Sequence, residues 1–144
     1  MKKFSLDAVL RFRQTKEGLA QQDLATALRQ EQELRQSLCD TEAARDAAYR
    51  EYAELQRHGM DAQELFLHQT YLDRQERKVA EQTTALQGAL VEVEERRELL
   101  AAASRDKRLL EKLRDKQLAE YRQELLRLEN AVLDEIAVQQ FQQR

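Results

Sequence analysis

The sequence predicts an all-α fold: a long antiparallel two-helix coiled-coil hairpin with unequal helices, the second projecting beyond the first. Three observations carry this. The 144 residues contain no proline and only three glycines, and a single proline inside a helix costs about 3 kcal/mol. Leu65, Leu72, Val79, Leu86, Val93 and Leu100 recur every seven residues, which is a coiled-coil seam. A lone helix-breaking step, His58-Gly59-Met60-Asp61, divides the chain unequally.

Composition supports helices and argues against a globular core. Aromatic residues make up 6% of the chain and charged residues 35%, too few large apolar groups for a compact interior. Ala, Glu, Lys, Leu, Arg and Gln dominate, as in long helices. The first helix is expected over residues 5–57, interrupted only by Gly18. A heptad ladder runs through Leu24, Leu38 and Tyr52, with Leu34, Ala48 and Leu55 beside it, and Glu31, Thr41 and Arg45 break it. The pairing register of this helix therefore stays open.

The turn is expected at residues 58–61. Gly59 can take the left-handed conformation that ends a helix, and Asp61 with Glu64 forms a capping-box pattern that starts the next. The second helix is expected over residues 62–142, the whole of 1–144 forming one coiled-coil hairpin. Beyond Leu100 the apolar series resumes at Leu118, Leu125 and Val132, offset by four residues from the earlier frame. Such a stutter unwinds a supercoil locally without ending the helix.

Helices of these lengths measure about 80 Å and about 120 Å at 1.5 Å per residue. With the hairpin closed at Gly59, residue i faces a residue numbered about 119 minus i, so the partner runs out near Asp115. The segment beyond it has an apolar stripe of Tyr121, Leu125, Leu128, Val132 and Ile136, widened by Leu126, Leu133, Ala137 and Phe141. Apolar surface of that breadth marks a partner; two such tails associating into a homodimer would hide it equally well.

Charge and motif content exclude several function classes. The formal net charge is -3 with the signs interspersed, which solvates helix faces and lacks the basic, aromatic-rich surface of a nucleic-acid binder. Cys39 is alone, so one chain can build neither a disulfide nor a cysteine metal cluster, and a reduced cytosolic setting is expected. The apolar stretch of the opening "MKKFSLDAVLRFRQTK" is broken by Asp7, Arg11 and Arg13, unlike a signal peptide, and no segment approaches the roughly 20 apolar residues of a membrane span. There is no phosphate-binding glycine loop. Glu64 and His68 offer only a commonplace surface pair, and Ser5, Ser37 and Ser104 have no base at catalytic spacing. No enzyme activity, cofactor or metal is expected.

Two surfaces remain as candidate contacts. Residues 105–127 carry eight Lys or Arg against five Asp or Glu, a locally basic collar that without further information reads as a solvated face. Around the turn cluster Tyr49, Tyr52, Phe66 and Tyr71. Tyr52 continues the ladder, whereas Tyr49 and Phe66 lie off the best seam positions, open to contact or to local packing.

Two stretches resemble a known family. The opening "KKFSLDAVLRFRQTKE", with Phe4, Leu6, Val9 and Leu10, and residues 110–141, "LEKLRDKQLAEYRQELLRLENAVLDEIAVQQF", are similar to FliJ, the small coiled-coil protein of the bacterial flagellar type III export apparatus. The likeness lies in Glu111-Lys112-Leu113 with Lys116 and Tyr121, and in Leu133-Asp134-Glu135 with Ala137 and Phe141; residues 35–100 match as generic coiled coil. The resemblance implies a stalk that enters the hexameric flagellar export ATPase, promotes its assembly, and links it to the cytoplasmic domain of the export gate and to export chaperones. It would be cytoplasmic, peripheral at the inner face of the membrane through its partners, and monomeric or weakly self-associating. Contact with the ATPase ring would then fall on Arg108, Lys112, Leu113, Lys116, Tyr121, Leu125, Leu128, Val132 and Ile136, and contact with the gate on Tyr49, Phe66 and Tyr71. The injectisome counterpart and a homodimeric structural scaffold are the alternatives.

Overall fold

The computed structural model describes residues 6–143; the expected helix start at Ser5, and Phe4 of the opening motif, lie outside them. Two helices make up the described chain: α1, Asp7–His58, of 52 residues, and α2, Ala62–Gln142, of 81 residues. They form an antiparallel hairpin in which the second helix is the longer.

Local chemistry sets the turn. Arg57 occupies the last turn of α1, where its charge meets the negative end of the helix dipole. Gly59 follows at φ 87°, in the left-handed region where a side chain is disfavoured. Asp61 Oδ1 then accepts a hydrogen bond from the Glu64 amide at 2.8 Å, and its carbonyl accepts from the Leu65 amide at 3.1 Å. Such a cap is worth about 1 kcal/mol.

Contacts divide the chain into two compact units, Ala20–Leu99 and Met1–Leu19 with Leu100–Arg144. In the first, Ala27, Leu38 and Ala48 of α1 are buried, as are Leu72 and Val93 of α2. Opposed pairs fix the antiparallel direction: Gln69 Nε2 donates to Tyr52 Oη at 3.4 Å, Tyr49 Oη donates to Glu76 Oε1 at 2.8 Å, and Arg96 Nη1 lies 3.9 Å from Asp23 Oδ2. As numbers rise on α1 they fall on α2.

The residues that break the apolar ladder of α1 stand at the seam. Covered positions of this unit include Leu24, Ala27, Glu31, Leu34, Leu38, Thr41, Arg45, Ala48, Tyr52 and Leu55, alternating three and four apart. Thr41 is buried because its hydroxyl donates to the Ser37 carbonyl at 3.0 Å within the helix. Glu31 is held by Arg35, and Arg45 reaches Glu76 across the hairpin at 3.9 Å. On α2, Gln82 Oε1 is buried with no hydrogen-bond partner among the described residues.

In the other unit, Leu10 and Ala103 are the buried apolar residues. Lys107 Nζ donates to Glu17 Oε1 at 2.8 Å, and Arg13 Nη1 to Asp106 Oδ2 at 3.3 Å. Along α2 the covered series runs Leu100, Ala103, Lys107, Leu110, Arg114, Gln117 and Tyr121, alternating three and four apart, so that Leu100, Lys107, Arg114 and Tyr121 continue the seven-residue step of Leu65 and Leu72. The expected four-residue offset therefore does not displace the seam here, although Leu118 is half-buried beside it. Lys107 and Arg114 keep the frame because their long aliphatic stems can occupy seam positions while the charged ends find carboxylates, Glu17 across the hairpin for Lys107 and Asp115 for Arg114.

Candidate partner-binding surfaces

The uncovered end of α2 is the largest candidate surface. Coverage extends through Tyr121, about a turn and a half beyond the expected limit at Asp115, so Tyr121 closes the seam and is half-buried. From residue 122 to residue 143 every position is exposed. Leu125, Leu128, Val132 and Ile136 present their side chains to solvent, and Phe141 is 80% exposed. A shallow groove is lined by Leu125, Leu128, Glu129, Val132 and Leu133, one carboxylate among four aliphatic groups. The helix persists through this segment although no other element packs on it among the described residues. Its Ala, Leu, Glu, Arg and Gln content favours helix, and Arg127 Nη2 donates to Glu124 Oε1 at 2.7 Å.

The basic collar precedes the tail. Arg108, Lys112, Leu113 and Lys116 are exposed, and none of the three cations forms an ion pair among the described residues. Their neighbours Lys107 and Arg114 are engaged, with Glu17 and Asp115 respectively. The hydrogen bond to Glu17 raises the Lys107 pKa, and the same bond, aided by Ser104, lowers that of Glu17. Lys107 thus serves the hairpin, while Arg108, Lys112 and Lys116 are available to a partner.

Near the turn, Phe66 is 67% exposed, and Leu67 and Tyr71 are also open to solvent. Tyr49 is exposed on its ring, but its hydroxyl is tied to Glu76, and that hydrogen bond raises its pKa. Phe66, Leu67 and Tyr71 belong to two successive turns of α2, so they supply the apolar side chains of this end. Tyr52 is half-buried and its ring centroid lies 6.3 Å from that of His68, which places His68 against the hairpin seam. Among the described residues no three His, Cys, Asp or Glu side chains gather as a metal site, and no described helix is long and apolar enough to cross a membrane.

One surface escaped the sequence reading. On α1, Val9, Phe12 and Leu19 are exposed, with Phe12 at 60%, and Arg13 stands 5.9 Å from the Phe12 ring centroid. On α2, Leu109 is 66% exposed. The signal was present: Val9, Phe12, Lys16 and Leu19 alternate three and four apart, a second face beside the seam of Leu6, Leu10, Arg13 and Glu17.

Comparison with known proteins agrees with this architecture. The family model described as "FliJ: Flagellar FliJ protein" matches residues 1–144. Among solved structures, a putative YscO homolog, CT670, from Chlamydia trachomatis is similar with a TM-score of 0.72 at 19% identity, over 99% of this chain and 96% of that one. At that identity the likeness is one of fold. No curated protein sequence matches the chain.

Proposed function

Because the chain belongs to the flagellar FliJ family, a coiled-coil component of type III export, we propose that it is the non-enzymatic stalk of the flagellar export apparatus. The tail of α2 enters the pore of the hexameric export ATPase and promotes ring assembly. Arg108, Lys112 and Lys116 meet the loops at the ring mouth, and the turn-proximal Phe66, Leu67 and Tyr71 engage the cytoplasmic domain of the export gate. Export chaperones are further partners. The protein acts in the cytoplasm and reaches the inner face of the membrane through these contacts.

The observation that carries the reading is the run of exposure from residue 122 to residue 143 on an intact helix. The apolar stripe with Glu129 in its groove supplies contact area of the kind that interfaces bury. The test mixes the chain with the export ATPase of the same organism and follows ring formation and ATP turnover. Full-length chain should raise both, and a chain ending at Tyr121, folded by circular dichroism, should raise neither. Equal stimulation by the two would remove the tail from the mechanism.

The second reading is the injectisome counterpart, supported by the similarity to the YscO homolog. Restoration of motility, against restoration of effector secretion, in the corresponding deletion strains separates the two.

A further inference from the structure

Charge is divided unevenly within the unit that carries the tail. Residues 6–19 and 100–117, the paired base, hold nine Lys or Arg against five Asp or Glu. Residues 122–143, the tail, hold Glu124, Glu129, Asp134 and Glu135 against Arg122 and Arg127, and beyond Arg127 they hold no Lys or Arg. Ion pairing sharpens the division. In the base, Arg13, Lys107 and Arg114 are taken up by Asp106, Glu17 with Glu111, and Asp115. That leaves Arg11, Lys16, Arg105, Arg108, Lys112 and Lys116 with no ion pair among the described residues. In the tail, Glu124 is paired with Arg127; among the described residues Glu129, Asp134 and Glu135 form no ion pair.

Apolar surface follows the same division. The base exposes Val9, Phe12 and Leu19 on α1 and Leu109 on α2, and the tail exposes Leu125 and the aliphatic series after it. The lengths match as well. Residues 122–143 and residues 100–121 are 22 each, about 33 Å of helix at 1.5 Å per residue.

From this complementarity we infer that the tail of α2 docks on the basic, apolar base of a second copy of this chain, reciprocally, forming a two-fold antiparallel dimer. Each copy contributes one tail and one base, so the association closes on itself and stops at two. Each overlap is a local three-helix arrangement, two helices from one base and one from the partner's tail. Tail-on-tail pairing would instead bring two net-acidic segments together, with four carboxylates on each copy against only Arg122 and Arg127. The inference does not rest on the ATPase reading. Where both hold, the dimer competes with the ring for the tail, and ring entry requires its dissociation.

Sedimentation equilibrium on the purified full-length chain provides the test, with charge reversals on either partner surface. Glu129→Lys with Asp134→Lys and Glu135→Lys reverses the tail; Arg108→Glu with Lys112→Glu and Lys116→Glu reverses the base. The wild type should be a monomer-dimer equilibrium that weakens with added salt. Each triple variant alone should raise the dissociation constant roughly 30-fold or more, and a mixture of the two should dimerise again, because each reversed tail then meets an opposite base. Circular dichroism confirms that every variant is helical. A wild type that stays monomeric at the highest soluble concentration overturns the proposal. A dimer disrupted by the tail variant and indifferent to the base variant also overturns it, in favour of tail-on-tail pairing. No ATPase is present in this experiment, so its result and that of the ring assay are independent.

Discussion

Replacing each glycine in turn by alanine should have opposite effects at the turn and in the helices. At Gly59 a Cβ would meet no atom within 4 Å, and the same holds at Gly18 and Gly88, so packing contributes nothing and backbone conformation decides all three. Gly59 sits at φ 87°, where an L-residue costs about 1–2 kcal/mol. Alanine also restricts the unfolded chain, which returns about 0.4–1 kcal/mol. The net loss for Gly59→Ala is then about 0–1.6 kcal/mol, centred near 0.8 kcal/mol. Gly18 and Gly88 lie inside α1 and α2, where alanine is favoured, so Gly18→Ala and Gly88→Ala should each stabilise by about 0.5–1 kcal/mol. Urea unfolding followed by helical ellipticity measures all three, with the denaturant slope checking that the unfolding transition is unchanged in kind. If Gly59→Ala were stabilising like the other two, residue 59 would be helical and the hairpin turn would be misplaced.

Two further substitutions probe the seam. Gln82→Leu removes a buried acceptor that has no partner among the described residues and should stabilise the protein by about 1–2 kcal/mol in the same assay; a loss of stability would mean that the amide is satisfied in solution. The Glu17–Lys107 pair should shape the pH profile. Glu17 has a lowered pKa, so its contribution is full above its unfolded value of about 4.3 and is lost as pH falls through the lower folded value. Lys107 has a raised pKa, so its contribution is full below about 10.4 and is lost as pH climbs through the higher folded value. Thermal melts across this range should show Lys107→Met flattening both limbs, and an unaltered profile would contradict the pairing.

The fold was legible because the strongest signals were local. Gly59 and the Asp61 cap sit side by side, and Leu65, Leu72, Val79, Leu86 and Val93 are apolar at every step. The register of α1 was not legible, since Glu31, Thr41 and Arg45 look like interruptions until their partners are seen. Thr41 is satisfied within its own helix, Glu31 by Arg35, and Arg45 by Glu76 across the hairpin. For the same reason Lys107 and Arg114 hid the continuing frame of α2 and suggested an offset that the covered residues do not follow. Of the candidate contacts, the aliphatic tail could be read directly from its stripe. Which collar cations are free could not, because that depends on Glu17 and Asp115 engaging Lys107 and Arg114. The outward face of Val9, Phe12 and Leu19 is hidden in the sequence because it overlaps with the seam it flanks.

In the proposed function the exposed α2 tail enters the export ATPase ring. Photo-crosslinking from a reactive residue at Val132, compared with one at the exposed Ala85 of the hairpin, tests this most directly when the chain is assembled with the ATPase hexamer. The prediction is a cross-link from residue 132 to residues lining the ring pore and none from residue 85. Equal labelling from both positions, or none from residue 132 in an assembled and active ring, would contradict it.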